Sequence, residues 1–232
     1  MTETGAVIAS GRDTEILACG PGLVLRRPLD RRSLAGEATL MRWVRDQGYP
    51  CPAVTAVVDD GLVMQRLDGV SMLDDLLAHP DRISLHARAL ADLHRQLHDL
   101  PLLAGAGELA DLPRYFGDGD SLLHGDLHPG NVLLTADGPV VIDWANATIG
   151  PAAADAAMTW LLMAAADVPE DAELRAGMLQ FRQAFLDEFL AAVDRRGASR
   201  FLSSVLQHRR SDPNLSAAEL ALMAGVAQRF GT

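Results

Sequence analysis

The chain has 232 residues, 49% of them hydrophobic, enough to bury a substantial core as one large domain or two small lobes. Its two cysteines, Cys19 and Cys51, make no disulfide framework and point to a reducing compartment. A net charge of −11, with every one of its 20 basic residues an arginine, argues against the basic face that nucleic-acid binding needs.

The opening stretch, "MTETGAVIASGRD", has no basic region followed by an apolar core and does not read as a signal peptide. Within it "GAVIAS" is a short strand-like run ending in Ser10 and Gly11. "TEILACG" and "GLVLRRP" flank a Cys19-Gly20-Pro21-Gly22 turn and suggest a hairpin. Strand alternation puts Leu23, Leu25 and Arg27 on one face of the second strand and Val24 and Arg26 on the other. "RSLAGEATLMRWVRDQG" reads as a helix with Ser33 as N-cap and Gly48 as stop. On it Leu34, Glu37, Met41 and Val44 share one narrow face. A glutamate inside an apolar stripe calls for a buried cationic partner, which Arg26 or Arg27 can supply. The bland alternative is that Glu37 reaches solvent and both arginines lie at the surface. "PAVTAVVDDGLVMQRL" returns to strands around an Asp60-Gly61 turn.

Past Asp68-Gly69 the pattern becomes helical. "SMLDDLLA" is short and amphipathic, and "SLHARALADLHRQLHDL" carries Leu90, Leu93, Leu97 and Leu100 on one face. A Gly/Asp/Pro-rich loop fills 101–120, and helices resume from Pro151. Ser216 and Glu219 have capping-box spacing before "LALMAGVAQRF". The longest apolar run, "AAMTWLLMAAA", is shorter than the about 20 residues a bilayer span takes, so a soluble cytoplasmic chain with no membrane partner is expected. The expected architecture is α+β, with a β-rich N-lobe over residues 1–67 and a larger helical C-lobe over 68–232. The first holds 8 arginines and 8 acids, the second 12 arginines and 23 acids, so the whole net charge lies in the second. Surface acids ordinarily serve solubility; here they also favour a cationic partner.

"SLLHGDLHPGNVLL" interrupts the helices. It is followed by a second expected hairpin, "NVLLTADGPVVIDW". Centring its turn on Asp137-Gly138 pairs Val132 with Asp143 and Asn131 with Trp144, which makes Asn131 and Asp143 neighbours at the open end. Both offer oxygen to a hard cation such as Mg²⁺. Asp126, on a loop tightened by Pro129 and Gly130, adds a free carboxylate, and the set has the layout of phosphoryl transfer. Each residue alone reads as a turn or cap residue; the combination does not. His124 and His128 as zinc ligands are disfavoured, because Gly125 and Pro129 break the helix that i,i+4 spacing would need.

"HGDLHPGNVLL" followed by "VVIDW" resembles the aminoglycoside phosphotransferase and choline kinase family, relatives of the protein kinases. "IGPAAADAAMTW" is similar to the segment that follows in that family. The resemblance implies the two-lobed protein-kinase-like fold and transfer of the γ-phosphate of ATP or GTP to a small-molecule hydroxyl. It implies Asp126 as catalytic base, Asn131 and Asp143 as Mg²⁺ ligands, and His124 as a brace for the loop. Asp155, which its position alone would make a helix N-terminal cap, becomes a support for the catalytic loop. Arg26 takes the place usually held by lysine, paired with Glu37. Ser10 and Gly11 fall in the phosphate-covering loop. Gln65, Arg66 and Leu67 form the hinge, whose backbone would bind the base. The acidic C-lobe makes an amine-bearing acceptor, such as an aminoglycoside or amino alcohol, the first class to consider, with antibiotic resistance as one role. The competing expectation is a nucleotide-binding pseudokinase, favoured by the absence of lysine and the poor glycine loop, and opposed by the intact Asp126, Asn131 and Asp143. Protein phosphorylation is disfavoured, because 143–155 is too short for a peptide-docking activation loop.

Overall fold

The computed structural model describes residues 5–11, 14–30, 32–59, 61–102, 107, 109–166, 171–212 and 215–231. Arg12 and Asp13 of the expected phosphate loop, and Asp60 of the expected turn, lie outside the described residues. The chain forms two compact units. The first takes 1–70, 103–111 and 133–145; the second takes 71–102, 112–132 and 146–232. The hairpin after the His-Gly-Asp motif thus contributes mostly to the first unit, whereas the division at 67/68 expected from sequence put it in the helical lobe.

The first unit is built on an antiparallel sheet. Its strands are β1 (Val7–Ser10), β2 (Thr14–Ala18), β3 (Leu23–Pro28), β4 (Val54–Val58) and β5 (Gly61–Gln65), in the order β1-β2-β3-β5-β4. The β2–β3 turn lies at Cys19–Gly22, where Gly20 and Gly22 take positive φ of 90° and 68°. Register pairs Leu17 with Leu25 and Leu25 with Val63, so these residues form one apolar row, and Cys19 packs with them. The same pleat turns Arg26 to the opposite face, directly paired with Ile16 and Leu62.

Helix α1 (Ala35–Asp46) buries Ala38, Leu40, Met41, Trp43 and Val44. Its N-cap position is Leu34, not Ser33, and no side chain caps it. The Ser33 hydroxyl instead accepts a hydrogen bond from the Ala35 N–H at 3.3 Å, just ahead of the helix. The stop is as expected. Gly48 takes φ 84°, its N–H bonds the Arg45 carbonyl, and the Tyr49 N–H bonds the Val44 carbonyl, which together make a Schellman ending.

After these come β6 (Val70–Ser71), α2 (Met72–Ala78), α3 (Ile83–His98), β7 (Ser121–Leu123), β8 (Val132–Thr135), β9 (Gly138–Val141), β10 (Thr148–Gly150), α4 (Ala152–Ala165), α5 (Ala172–Ala192), α6 (Arg195–Arg209) and α7 (Ala217–Phe230). The β8–β9 turn is tightened by the Thr135 hydroxyl, which donates to the Gly138 carbonyl and accepts from the Asp137 N–H. That turn spans Ala136 and Asp137, and β9 ends at Val141. The expected strand pairing of Val132 with Asp143 and Asn131 with Trp144 is therefore not formed: Asp143 lies beyond the strand, with φ 64°. Trp144 is buried, stacks edge-on against Tyr49, and donates to the Val141 carbonyl.

In the second unit α4 is apolar on nearly every side, as a central helix must be, and packs against α5, α6 and α7. Helix α3 packs on α5 and buries Leu90, Leu93 and Leu97; Leu100 lies past the helix end and is half-buried. The Ser216–Glu219 capping box on α7 is complete in both directions. The short strands β7 and β10 pair antiparallel, Leu122 opposite Ile149. Among the described residues no helix is long and apolar enough to cross a membrane.

Candidate active site

The motif loop begins where β7 ends. Gly125 takes φ 75°, and a Cβ there would stand 2.3 Å from the Asn146 carbonyl oxygen, so the bend admits only glycine. The Asp126 N–H donates to His124 Nδ1 at 3.3 Å, which folds the loop over the buried His124 ring. A 3-10 turn at Pro129–Asn131 follows, with the Gly130 N–H donating to His128 Nδ1 at 3.1 Å. A Cβ at position 130 would stand 2.8 Å from the His128 ring, so that ring would have to shift. Helix α2 packs on this turn, with Leu73 reaching Gly130.

This turn brings Asn131 to Asp126. The Asn131 amide donates to the Asp126 carbonyl at 2.8 Å and to its carboxylate Oδ2 at 3.1 Å. Committing the NH₂ group this way leaves Asn131 Oδ1, the amide atom able to ligate a hard cation, facing away from Asp126. His128 Nε2 lies 4.0 Å from Asp126 Oδ2. Both rings accept backbone N–H groups of the loop, His124 from Asp126 and His128 from Gly130.

Asp155 holds the loop from below. It sits in the first turn of α4, whose N-cap position is Pro151, so the cap expectation is corrected. Its side chain is fully buried and accepts from the His124 N–H at 3.1 Å, the Gly125 N–H at 2.9 Å and His98 Nε2 at 3.1 Å. His94 Nδ1 lies 3.4 Å away. Burial alone would push the Asp155 carboxyl up, but hydrogen bonds and charge from His94 and His98 hold it well below the usual carboxylate range. The sequence reading missed His94 and His98. Their i,i+4 spacing on α3 beside a leucine stripe was the only signal, and their partner lies 57 residues further on from His98.

In the first unit Arg26 joins Glu37 and Asp143. Its NH1 donates to Glu37 Oε1 at 2.5 Å and its NH2 to Asp143 Oδ1 at 2.7 Å. Arg26 is 6% exposed, so the buried partner that Glu37 demanded is Arg26, not Arg27. Burial opposes the guanidinium charge, and the two carboxylates more than restore it. Asp143 is the one non-glycine residue with positive φ among the described residues. Such a backbone costs about 1 kcal/mol and clusters at functional sites. Its side chain is 42% exposed, and among the described residues Arg26 is its ion-pair partner, through Oδ1. Asn131 in the second unit and Asp143 in the first each carry an oxygen donor of the kind a hard divalent cation takes.

The remaining expected residues fall in the first unit. Ser10 ends β1 opposite Glu15, and the Gly11 N–H bonds the Thr14 carbonyl. A Cβ on Gly11 would meet only ordinary contacts, so this backbone does not require glycine there. Gln65 ends β5. Its N–H bonds the Ala53 carbonyl, its side-chain oxygen accepts from the Ala53 N–H, and the Arg66 N–H bonds the Gly22 carbonyl. Leu67 follows on the same segment, which lines a cavity of about 380 Å³ with Arg45, Cys51 and Asp137.

The sequence model of the phosphotransferase enzyme family matches residues 5–119 and 106–195. No curated protein sequence matches the chain. Among solved structures, the chain resembles the aminoglycoside phosphotransferase APH(2")-IIa in its ternary complex with streptomycin and ATP: TM-score 0.63, 14% identity, 90% of this chain and 84% of that one. It also resembles an aminoglycoside-3'-phosphotransferase of type VIII, at TM-score 0.53 and 22% identity over 99% and 93% of the two chains. A Plasmodium vivax ethanolamine kinase is similar at TM-score 0.57 and 12% identity, over 95% and 81%. At these identities the likeness is one of fold.

Proposed function

The chain belongs to the phosphotransferase enzyme family, and from that premise we propose that this small-molecule kinase moves the γ-phosphate of ATP or GTP to a hydroxyl, with Asp126 as the base. The observation that carries the reading is the hydrogen-bonded pair of Asp126 and Asn131 on a loop hung from buried Asp155. In the transfer, a bond forms between the acceptor oxygen and the γ-phosphorus, the bond from that phosphorus to the bridging oxygen breaks, and the hydroxyl proton passes to Asp126. Asn131 orients Asp126 through its amide N–H. Asn131 and Asp143 would hold Mg²⁺, which when bound neutralises developing charge on the phosphate oxygens. His124 and Asp155 keep the loop in place. The backbone of Gln65 and Leu67 would take the base, and Ser10 and Gly11 would lie over the phosphates. Two buried free thiols, Cys19 and Cys51, fit a cytoplasmic, reducing location.

The acceptor of first choice is cationic, since the acid excess lies in residues 68–232. Two similar structures are phosphotransferases of aminoglycosides and one is a kinase of ethanolamine, all amine-bearing acceptors. The test is a screen that reads ADP or GDP release over basic antibiotics and amino alcohols. Asp126→Asn is expected to cut transfer to the acceptor found by about 10²–10⁴-fold, the ordinary contribution of a general base. Unchanged transfer would rule out Asp126 as base. Nucleotide binding without turnover on any acceptor class would favour the pseudokinase reading, whose support is arginine at the usual lysine position.

A further inference from the structure

We infer that Thr159 is a positioning residue for the base: with Asp155, one turn earlier on α4, it holds the backbone on either side of Asp126. This rests on the proposed reading of Asp126 as the base. The Gly125 N–H, one residue before Asp126, is held by Asp155 Oδ1 at 2.9 Å. The Leu127 carbonyl, one residue after it, takes the proton of the Thr159 hydroxyl at 2.6 Å. The two grips are four residues apart on one helix, so they share a face of α4 and meet the loop together.

Thr159 is fully buried among Ala156, Ala157, Met158, Trp160 and Leu161. A hydroxyl in such surroundings costs stability unless it is hydrogen-bonded. Its single proton goes to the nearer of two carbonyls, that of Leu127 at 2.6 Å and not that of Asp155 at 3.3 Å. The bond is therefore spent on the loop and not on the backbone of α4 itself. The hydroxyl oxygen in turn faces His94 Nε2 at 3.0 Å, and His94 Nδ1 lies 3.4 Å from Asp155 Oδ2. One imidazole from α3 thus spans both grips and sets their spacing. His124 and Leu127 are fully buried, whereas the Asp126 side chain is 18% exposed. The loop is anchored on both sides of the carboxylate that it presents.

The test uses the full chain and the acceptor found by the nucleotide-release screen. Thr159→Val keeps the shape of the side chain and removes the hydroxyl; Thr159→Ser keeps the hydroxyl. Thr159→Ala, a better helix former, replaces the valine variant should that one fold poorly. For each variant kcat and KM are measured below its unfolding transition, and affinity for a non-hydrolysable nucleotide analogue is measured by calorimetry. Misplacing a reacting group by about 1 Å can cost on the order of 10²-fold in rate. The expected result for Thr159→Val is a kcat lower by about 10–100-fold with analogue affinity held within about threefold, most of the loss being recovered in Thr159→Ser. A merely structural role would lower the unfolding midpoint and leave kcat of the folded protein unchanged. A folded Thr159→Val that keeps its kcat, an equal loss of analogue affinity, or a serine variant as slow as the valine one overturns the inference, while an inactive Asp126→Asn leaves the base reading standing. If Asp126→Asn transfers as well as the wild type, the base reading and this inference fall together.

Discussion

Buried His94 carries a pH dependence that can be worked out at the level of single atoms. Its Nε2 faces the Thr159 hydroxyl at 3.0 Å, and that hydroxyl gives its proton to the Leu127 carbonyl at 2.6 Å. A neutral His94 therefore donates from Nε2, and its Nδ1 lies 3.4 Å from Asp155 Oδ2. Burial pushes the imidazole below its ordinary 6.5, outweighing the pull of Asp155. A histidine depressed in the folded state leaves the unfolded chain binding more protons below pH 6.5. Its contribution to stability is full above that pH and is lost as pH falls toward the folded value. His208, depressed by burial and by Arg209, works in the same direction. Urea midpoints measured from pH 8 to pH 5 should therefore decline, and His94→Asn should flatten the decline without abolishing it. An equal slope in the variant would mean that His94 takes up its proton alike in the folded and unfolded chains. The acid limb belongs to Asp155: its depressed carboxyl contributes stability above the unfolded range, about pH 3.9, that is lost only in stronger acid.

Among the elements, the motif loop depends on a close approach that has no tolerance. Gly125→Ala places a Cβ 2.3 Å from the Asn146 carbonyl oxygen, in a backbone of φ 75° that disfavours any side chain. We expect it to destabilise the protein by roughly 1–3 kcal/mol, read from urea unfolding, and to lower transfer more than nucleotide affinity, because Asp126 follows directly. Full activity with unchanged stability would mean that the loop can shift. Local chemistry made several elements legible in the sequence: the Cys19–Gly22 turn, the Gly48 stop and the Ser216–Glu219 box all follow from residues within five positions of one another. The failures were of another kind. Ser33 looked like the cap, but the helix starts one residue later. The second hairpin was carried through Asp143, although the strand ends at Val141; apolar alternation cannot mark where pairing stops once the chain turns into a left-handed residue. The three-residue strands β7 and β10 pair across 25 residues, and segments that short carry no periodicity.

For the molecule as a whole, the charge gives the acceptor prediction its form. With the whole −11 carried by residues 68–232, long-range attraction should raise the capture of cationic acceptors. For such an acceptor kcat/KM should fall several-fold between about 0.01 and 0.15 M salt, as the screening length shrinks from roughly 30 to 8 Å, while a neutral acceptor shows little change. Equal salt dependence for both would confine the acidity to solubility.

The motif was readable because the loop residues sit within eight positions and their glycines and proline leave few backbone choices. Glu37's need for a partner was readable as well, because a charge in an apolar stripe cannot stay alone. The sequence by itself therefore determined the lobe pattern, the family resemblance and the residues to consider. Tertiary structure alone decided who meets whom. It chose Arg26 over Arg27, put Asp143 on the same guanidinium across 117 positions, and gathered His94, His98 and Asp155 beneath the loop. Sequence periodicity reports which way a side chain faces its own element. Long-range pairing depends on how elements pack, and a buried charge is satisfied by whichever partner that packing brings within about 3 Å.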